Sequence, residues 1–156
     1  MNRHFYNFIA AFNSAAKTGR WTFTAPLRNK FILVFLNYLL KLKLIEDFRF
    51  FHPKPPTLYK RCGIKLGKRG SRYYLPIEVR LKHELVKGIF SVSTPGKLDF
   101  MSAERLHLYT THAAGGGGIV ICSSARLRGL CTSKELTALG EGGLVLCVVT
   151  ITHLNR

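Results

Sequence analysis

Hydrophobic positions along this chain switch between a spacing of three to four residues and strict alternation, and the switches mark out its elements. Over Asn7 to Ala16, Phe8, Ile9, Phe12 and Ala15 or Ala16 recur at helical spacing, which predicts an amphipathic first helix. Gly19 to Pro26 contains W-T-F-T, whose alternation predicts a short strand. In Phe31 to Ile45, Phe31, Val34, Phe35, Tyr38, Leu39 and Leu42 predict a buried helix, with Lys41 and Lys43 favourably placed near its C-terminal end. Asn37, Lys41 and Lys43 interrupt this stretch, and its unbroken apolar part falls far short of the ~20 residues that cross a bilayer, so no membrane span is expected. Glu46 to His52 alternates as a strand does, and P-K-P-P at 53–56 stops it. Leu58 to Leu66 and Tyr73 to Lys82 predict a hairpin around the basic turn G-K-R-G-S-R, Gly67 to Arg72.

The pattern resets near His83 to Lys87. Beyond it come a predicted strand, Gly88 to Ser93, a T-P-G turn at 94–96, and a short helix or turn around Ser102 to Leu108. A glycine run feeds a β-branched strand, Ile119 to Cys122, which opens into a loop, Ser123 to Gly129. Thr132 can cap a short helix through Leu139, with Glu135 at the capping-box position. Leu144 to Ile151 reads as a closing strand buried on both faces. The order predicts an α+β protein of two small α/β domains, residues 1–87 and 88–156, the second mostly β with a short helix.

Charge changes the picture. The chain carries 24 Lys+Arg against 8 Asp+Glu, a formal net charge of +16 on 156 residues, and the first acidic residue is Glu46. That excess makes attraction to phosphates a large part of any affinity. At 47% hydrophobic the chain also has enough apolar residues for a core, which excludes a disordered basic tail. The four cysteines, Cys62, Cys122, Cys131 and Cys147, form no C-x-x-C pair and sit in or beside apolar runs, so buried free thiols are expected and no metal or other cofactor is called for. No secretory signal is expected, because the first residues lack a continuous apolar core followed by small residues.

The candidate chemistry lies in the Ser123 to Thr132 loop. Ser123 and Ser124 can donate to and accept from sugar hydroxyls, while Arg126 and Arg128 supply forked cationic donors. Lys68 and Arg69 at the tip of the basic hairpin are a second candidate phosphate contact, and Arg28 and Lys97 are further candidate cations. An enzyme that cradles phosphate on Gly115 to Gly118 is disfavoured, since the run lacks a G-K-[ST] ending and leads into a strand. His107 and His112 are expected on the surface and form no catalytic constellation. A second reading is a peripheral membrane protein anchored by the basic, aromatic first helix.

Several segments together resemble a known family. The I-E-D-F at the end of Leu39 to Phe48, S-T-P-G at 93–96, the glycines before I-V-I, S-S followed by G-L-C-T, and the closing G-G-L-V-L-C stand in the order and near the spacing found in the bacterial-type small-subunit ribosomal protein S-eight family. The resemblance covers nearly the whole chain. It implies a two-domain RNA-binding scaffold that grips a helix in the central domain of the small-subunit rRNA, mainly through the C-terminal domain, beside neighbouring small-subunit ribosomal proteins. In that family Ser123 and Ser124 match the hydroxyl loop, Gly129 its glycine, Thr132 its closing threonine, and Lys30 a lysine at the start of the second helix.

The chain also departs from the family. Two residues are inserted between Ser124 and Gly129, so Arg126 and Arg128 are expected to protrude. Thr94 stands where the family has arginine, Phe100 where it has tyrosine, and Asp99 puts a negative charge near the expected RNA. Ala10 to Ser14 lacks the family's arginines, and Leu144 replaces a glutamate. The acid-free beginning and the drift from bacterial motifs lead to the expectation of a mitochondrial ribosome, with a plastid or bacterial one as the alternative. A binding scaffold, not an enzyme, is expected, with no small-molecule substrate.

Overall fold

A computed structural model describes residues 3–27, 29–50, 75–82, 85–115 and 117–152. The predicted Leu58 to Leu66 strand, the basic turn with Lys68 and Arg69, Cys62 and Arg28 lie outside the described residues. The protein is α+β, as its hydrophobic pattern predicts. Its N-terminal part runs α1 (Arg3–Lys17), β1 (Thr22–Leu27), α2 (Lys30–Lys41), β2 (Ile45–Phe50) and β3 (Leu75–Leu81). β3 lies between β1 and β2 and is antiparallel to both, so the two strands joined through α2 run parallel with a third strand between them.

Aromatic residues build the core of this part. Phe5, Phe8 and Phe12 on α1 meet Phe23 on β1 and Phe31 and Phe35 on α2, with the Phe5 ring 5.0 Å from both Phe31 and Phe35 in edge-to-face contact. Such geometry places the positive ring edge on the negative face of its neighbour. α2 starts where Asn29 Oδ1 accepts from the Phe31 N–H at 3.1 Å. It ends at Lys41, earlier than predicted, because Lys43 takes the left-handed conformation (φ +59°) and Leu44 N–H turns back to Leu39 O at 2.9 Å. The buried face is Ile32, Phe35, Leu36, Tyr38 and Leu39, while Val34 is 51% exposed and Phe31 and Leu42 are half-buried. The face is thus rotated from the expected one. In a helix apolar nearly all round, periodicity sets the pitch, but packing against α1 and the first sheet sets the phase.

The C-terminal part adds β4 (Val86–Ser91), β5 (Asp99–Met101), α3 (Ala103–Gly115), β6 (Gly118–Ser124), β7 (Gly129–Thr132), α4 (Ser133–Ala138) and β8 (Gly143–Ile151). The antiparallel sheet runs β4-β8-β6-β7, and β5 follows β4 along the same side of β8. β8 is central, and Val145, Leu146, Cys147 and Val149 are all buried. One face packs on α3 and α4 through Met101, Leu106, Val120, Cys122, Cys131, Leu136 and Val145. The other contributes Ile89, Ile121, Leu146, Cys147 and Val149 to the core of α1 and α2. α3 is longer than the predicted short helix. Its sheet-facing positions include Thr110, whose hydroxyl donates to Leu106 O at 2.7 Å, so the apolar stripe that would have marked the helix is incomplete.

Polar clamps join α1 to the second sheet. Asn13 donates from Nδ2 to Ile89 O at 2.9 Å and accepts at Oδ1 from Ile89 N–H at 2.7 Å, pairing with edge strand β4 as a neighbouring strand would. Tyr6 donates to Ser93 O, while the buried Ser93 hydroxyl donates to Val145 O and accepts from Asp99 N–H at 3.0 Å. The S-T-P-G turn, closed by Thr94 and Lys97 backbone bonds, is thereby tied to β8.

Candidate nucleic-acid interface

The β6–β7 hairpin carries most of the candidate residues. Where the sequence suggests a loop from Ser123 to Gly129, the ladder continues through Ser124, which pairs with Gly129, and only Ala125 to Arg128 turn. Both flanking segments are β-competent, so pairing extends to the last residues that can reach a partner. Ser124 is 7% exposed, and its Oγ accepts from Leu127 N–H at 3.4 Å across the turn. Its hydroxyl therefore serves the hairpin. Ser123 is half-buried on the opposite face, between Leu130 of β7 and Leu144 of β8, with Phe100 of β5 next in the row. Phe100 is 66% exposed, so this end of the sheet face is open.

The turn presents its cations outward. Arg126 is exposed and ion-paired with Glu141. Arg128 is exposed and left-handed (φ +50°), a strained conformation for a residue with a side chain. A Cβ placed on Gly129 would meet nothing within 4 Å, so the fold leaves that backbone open to close approach from outside. Thr132 caps α4, its Oγ1 accepting from Glu135 N–H at 3.4 Å. Lys134, two residues further on, is exposed.

The remaining candidates spread along the molecule. Lys97 is exposed on the turn between β4 and β5. Lys30 is exposed at the start of α2, about eight residues or ~12 Å along the helix from Tyr38. A chain of contacts runs from the Lys30 end of α2 toward Lys97: Phe31 on Phe5, the Phe5 ring 6.0 Å from Tyr6, and Tyr6 bonded to Ser93. Asp99 points to the α3 side and pairs with Arg105 at 3.7 Å, on the face opposite Phe100, so its charge is turned away from the open row. His107 and His112 are exposed on α3.

Two glycines position the hairpin. A Cβ on Gly142 would fall inside the contact shell of Met101 O and crowd the Ser102 backbone, and one on Gly143 would lie 3.0 Å from Ser123 O and 2.9 Å from Leu136 Cδ1. The chain at Gly142 thus passes too close to β5 for any side chain, and a side chain at Gly143 would press on β6 and α4. Cys122, Cys131 and Cys147 are buried free thiols. Burial raises Cys122 to about 12, helped by Cys131, and Cys131 to about 11, helped by Glu135; burial also raises Cys147. At neutral pH these groups are protonated packing atoms. Comparison with known protein families and with curated proteins found no match to this chain.

Proposed function

We propose that this chain is a structural constituent of a small ribosomal subunit, which binds rRNA and supports assembly of the subunit. The observation that carries the reading is the β6–β7 hairpin: an open glycine backbone at Gly129, two exposed arginines and the half-buried Ser123 beside it, on a chain of net charge +16. A-form RNA presents a wide, shallow minor groove lined with 2′-hydroxyls, which small donors and bare backbone can approach and which arginines can flank at the phosphates. The resemblance in segment order to the S-eight family supports the same reading. In it, Lys30 and Lys97 extend the contact along the α1–α2 side, and Arg28, Lys68 and Arg69 add phosphate contacts. The chain acts as a scaffold rather than an enzyme and needs no cofactor. Its ribosome is mitochondrial, with a plastid or bacterial one as the alternative.

The membrane-anchored reading has less support. Phe5, Phe8, Ile9, Phe12 and Ala15, the apolar face that would enter a bilayer, are buried in the core. No helix among the described residues is long and apolar enough to cross a membrane. The test is crosslinking with RNA sequencing on protein purified from its source and fractionated on a density gradient. Co-sedimentation with small subunits and crosslinks from Ser123 to Thr132 onto one rRNA helix are expected, and the rRNA identifies the compartment. Protein that stays at the top of the gradient without rRNA would overturn the proposal.

A further inference from the structure

Trp21 is the only tryptophan in the chain, and its side chain is 65% exposed at the entry to β1. Indoles are heavily buried on average, so one that is 65% exposed marks a candidate contact surface. The backbone here is fixed on both sides. α1 closes with Gly19 in the left-handed conformation (φ +69°), Gly19 N–H bonded to Ala16 O at 3.3 Å and Arg20 N–H to Ala15 O at 3.0 Å. Trp21 O then accepts from Leu81 N–H at 2.7 Å, just beyond the β1–β3 ladder.

The indole borders a cleft with Leu81 and Val86 as its apolar floor and Arg20 and Lys82 as its cations, and no described lining residue is acidic. Lys17 and Lys87, both exposed, adjoin it in sequence, and so does Glu84, which lies outside the described residues. Glu78, the carboxylate of β3, is held by Arg49 at 2.8 Å. Val86 pairs with Ile151 at one end of β8, whereas the β6–β7 hairpin abuts Leu144 at the other, so the two surfaces stand about 23 Å apart along the strand.

We propose that this cleft is a second RNA contact, in which Trp21 stacks on an unpaired base and Arg20 and Lys82 hold the flanking phosphates. An aromatic face set among cations is the arrangement that binds single strands without reading their sequence, and a backbone fixed in advance lowers the ordering cost. The proposal rests on the RNA-binding reading above, but it assigns different residues and a different RNA element, an unpaired nucleotide in place of a duplex groove.

Because Trp21 is the sole indole, its emission in the full-length protein reports this cleft alone. Titration with a labelled single-stranded oligouridylate is expected to give saturable quenching that tracks binding followed by anisotropy, while heparin, a polyanion without bases, binds without comparable quenching. Trp21→Ala, with its fold checked by far-UV circular dichroism, is expected to weaken oligouridylate binding about tenfold. Arg20→Ala with Lys82→Ala is expected to lower the salt slope by about 1.4, the value for two single-strand phosphates. Oligouridylate binding that leaves the emission unchanged, or heparin quenching to the same depth, would overturn the stacking site and leave the hairpin reading intact. A shift of the emission caused only by anionic vesicles would also overturn it, in favour of a lipid surface. Failure to bind either single-stranded RNA or an rRNA duplex would remove both proposals together.

Discussion

The two parts of the molecule are held together by different means. The N-terminal part interlocks aromatic rings carried on two helices and one strand, whereas the C-terminal part threads a central strand whose small, aliphatic and thiol-bearing residues are buried on both faces. Ring packing keeps the backbones it joins a side chain apart, whereas packing at glycines brings backbone directly against backbone. The candidate RNA hairpin grows from the second part, where Gly142 and Gly143 bring β8 against β5 and β6. Aromatic packing supplies stability, and close backbone packing supplies placement.

Substitutions can break this division. Phe35→Ala empties a fully buried ring site and is expected to cost about 3–5 kcal/mol in urea denaturation. Gly142→Ala should instead displace the start of β8, weakening RNA binding more than Phe35→Ala does once both are compared at a temperature where each remains folded. Equal binding by the two variants would mean that hairpin placement does not depend on the glycine pair. Asn13→Ala removes both bonds to Ile89 and is expected to cost about 1–3 kcal/mol, while exposing the β4 edge. Light scattering that stays at the monomer value for this variant would show that the edge needs no cover.

Smaller changes sharpen the comparison within the hairpin. Arg128→Gly relieves a left-handed side chain and is expected to leave stability unchanged or raise it by about 0.5–1 kcal/mol, yet to weaken RNA binding and flatten its salt dependence. Parallel gains in stability and affinity would show that the arginine makes no phosphate contact. The thiols should have the least effect at neutral pH. Their folded values lie above the ordinary thiol range, so the unfolded chain loses protons first; stability is fully present below about pH 9 and falls as pH rises toward 11 to 12. Rapid labelling of Cys122 or Cys131 in the folded protein at pH 8 would contradict this.

Much of the fold was legible because its signals are local. The Phe8, Ile9, Phe12 spacing marks α1, the alternating W-T-F-T lies at the start of β1, and Thr132 with Glu135 marks the start of α4. The site was less legible. Ser123 and Ser124 stand next to each other, yet alternation along β6 sends them to opposite faces, one toward the open row with Phe100 and the other into the turn. The hold of Glu141 on Arg126 spans 15 residues and has no local signature.

The order of residues by itself determined the α+β class, the basic charge, most element positions and the burial of Cys122, Cys131 and Cys147, since each follows from spacing or composition over a short window. Only the tertiary structure decided which face of α2 is buried, which hydroxyl remains beside the open surface, and that Trp21 shares a cleft with Arg20 and Lys82 at one end of β8. Those outcomes depend on which distant segments meet, and a helix apolar on every side or a serine pair at a strand end is compatible with more than one meeting until the rest of the chain has packed.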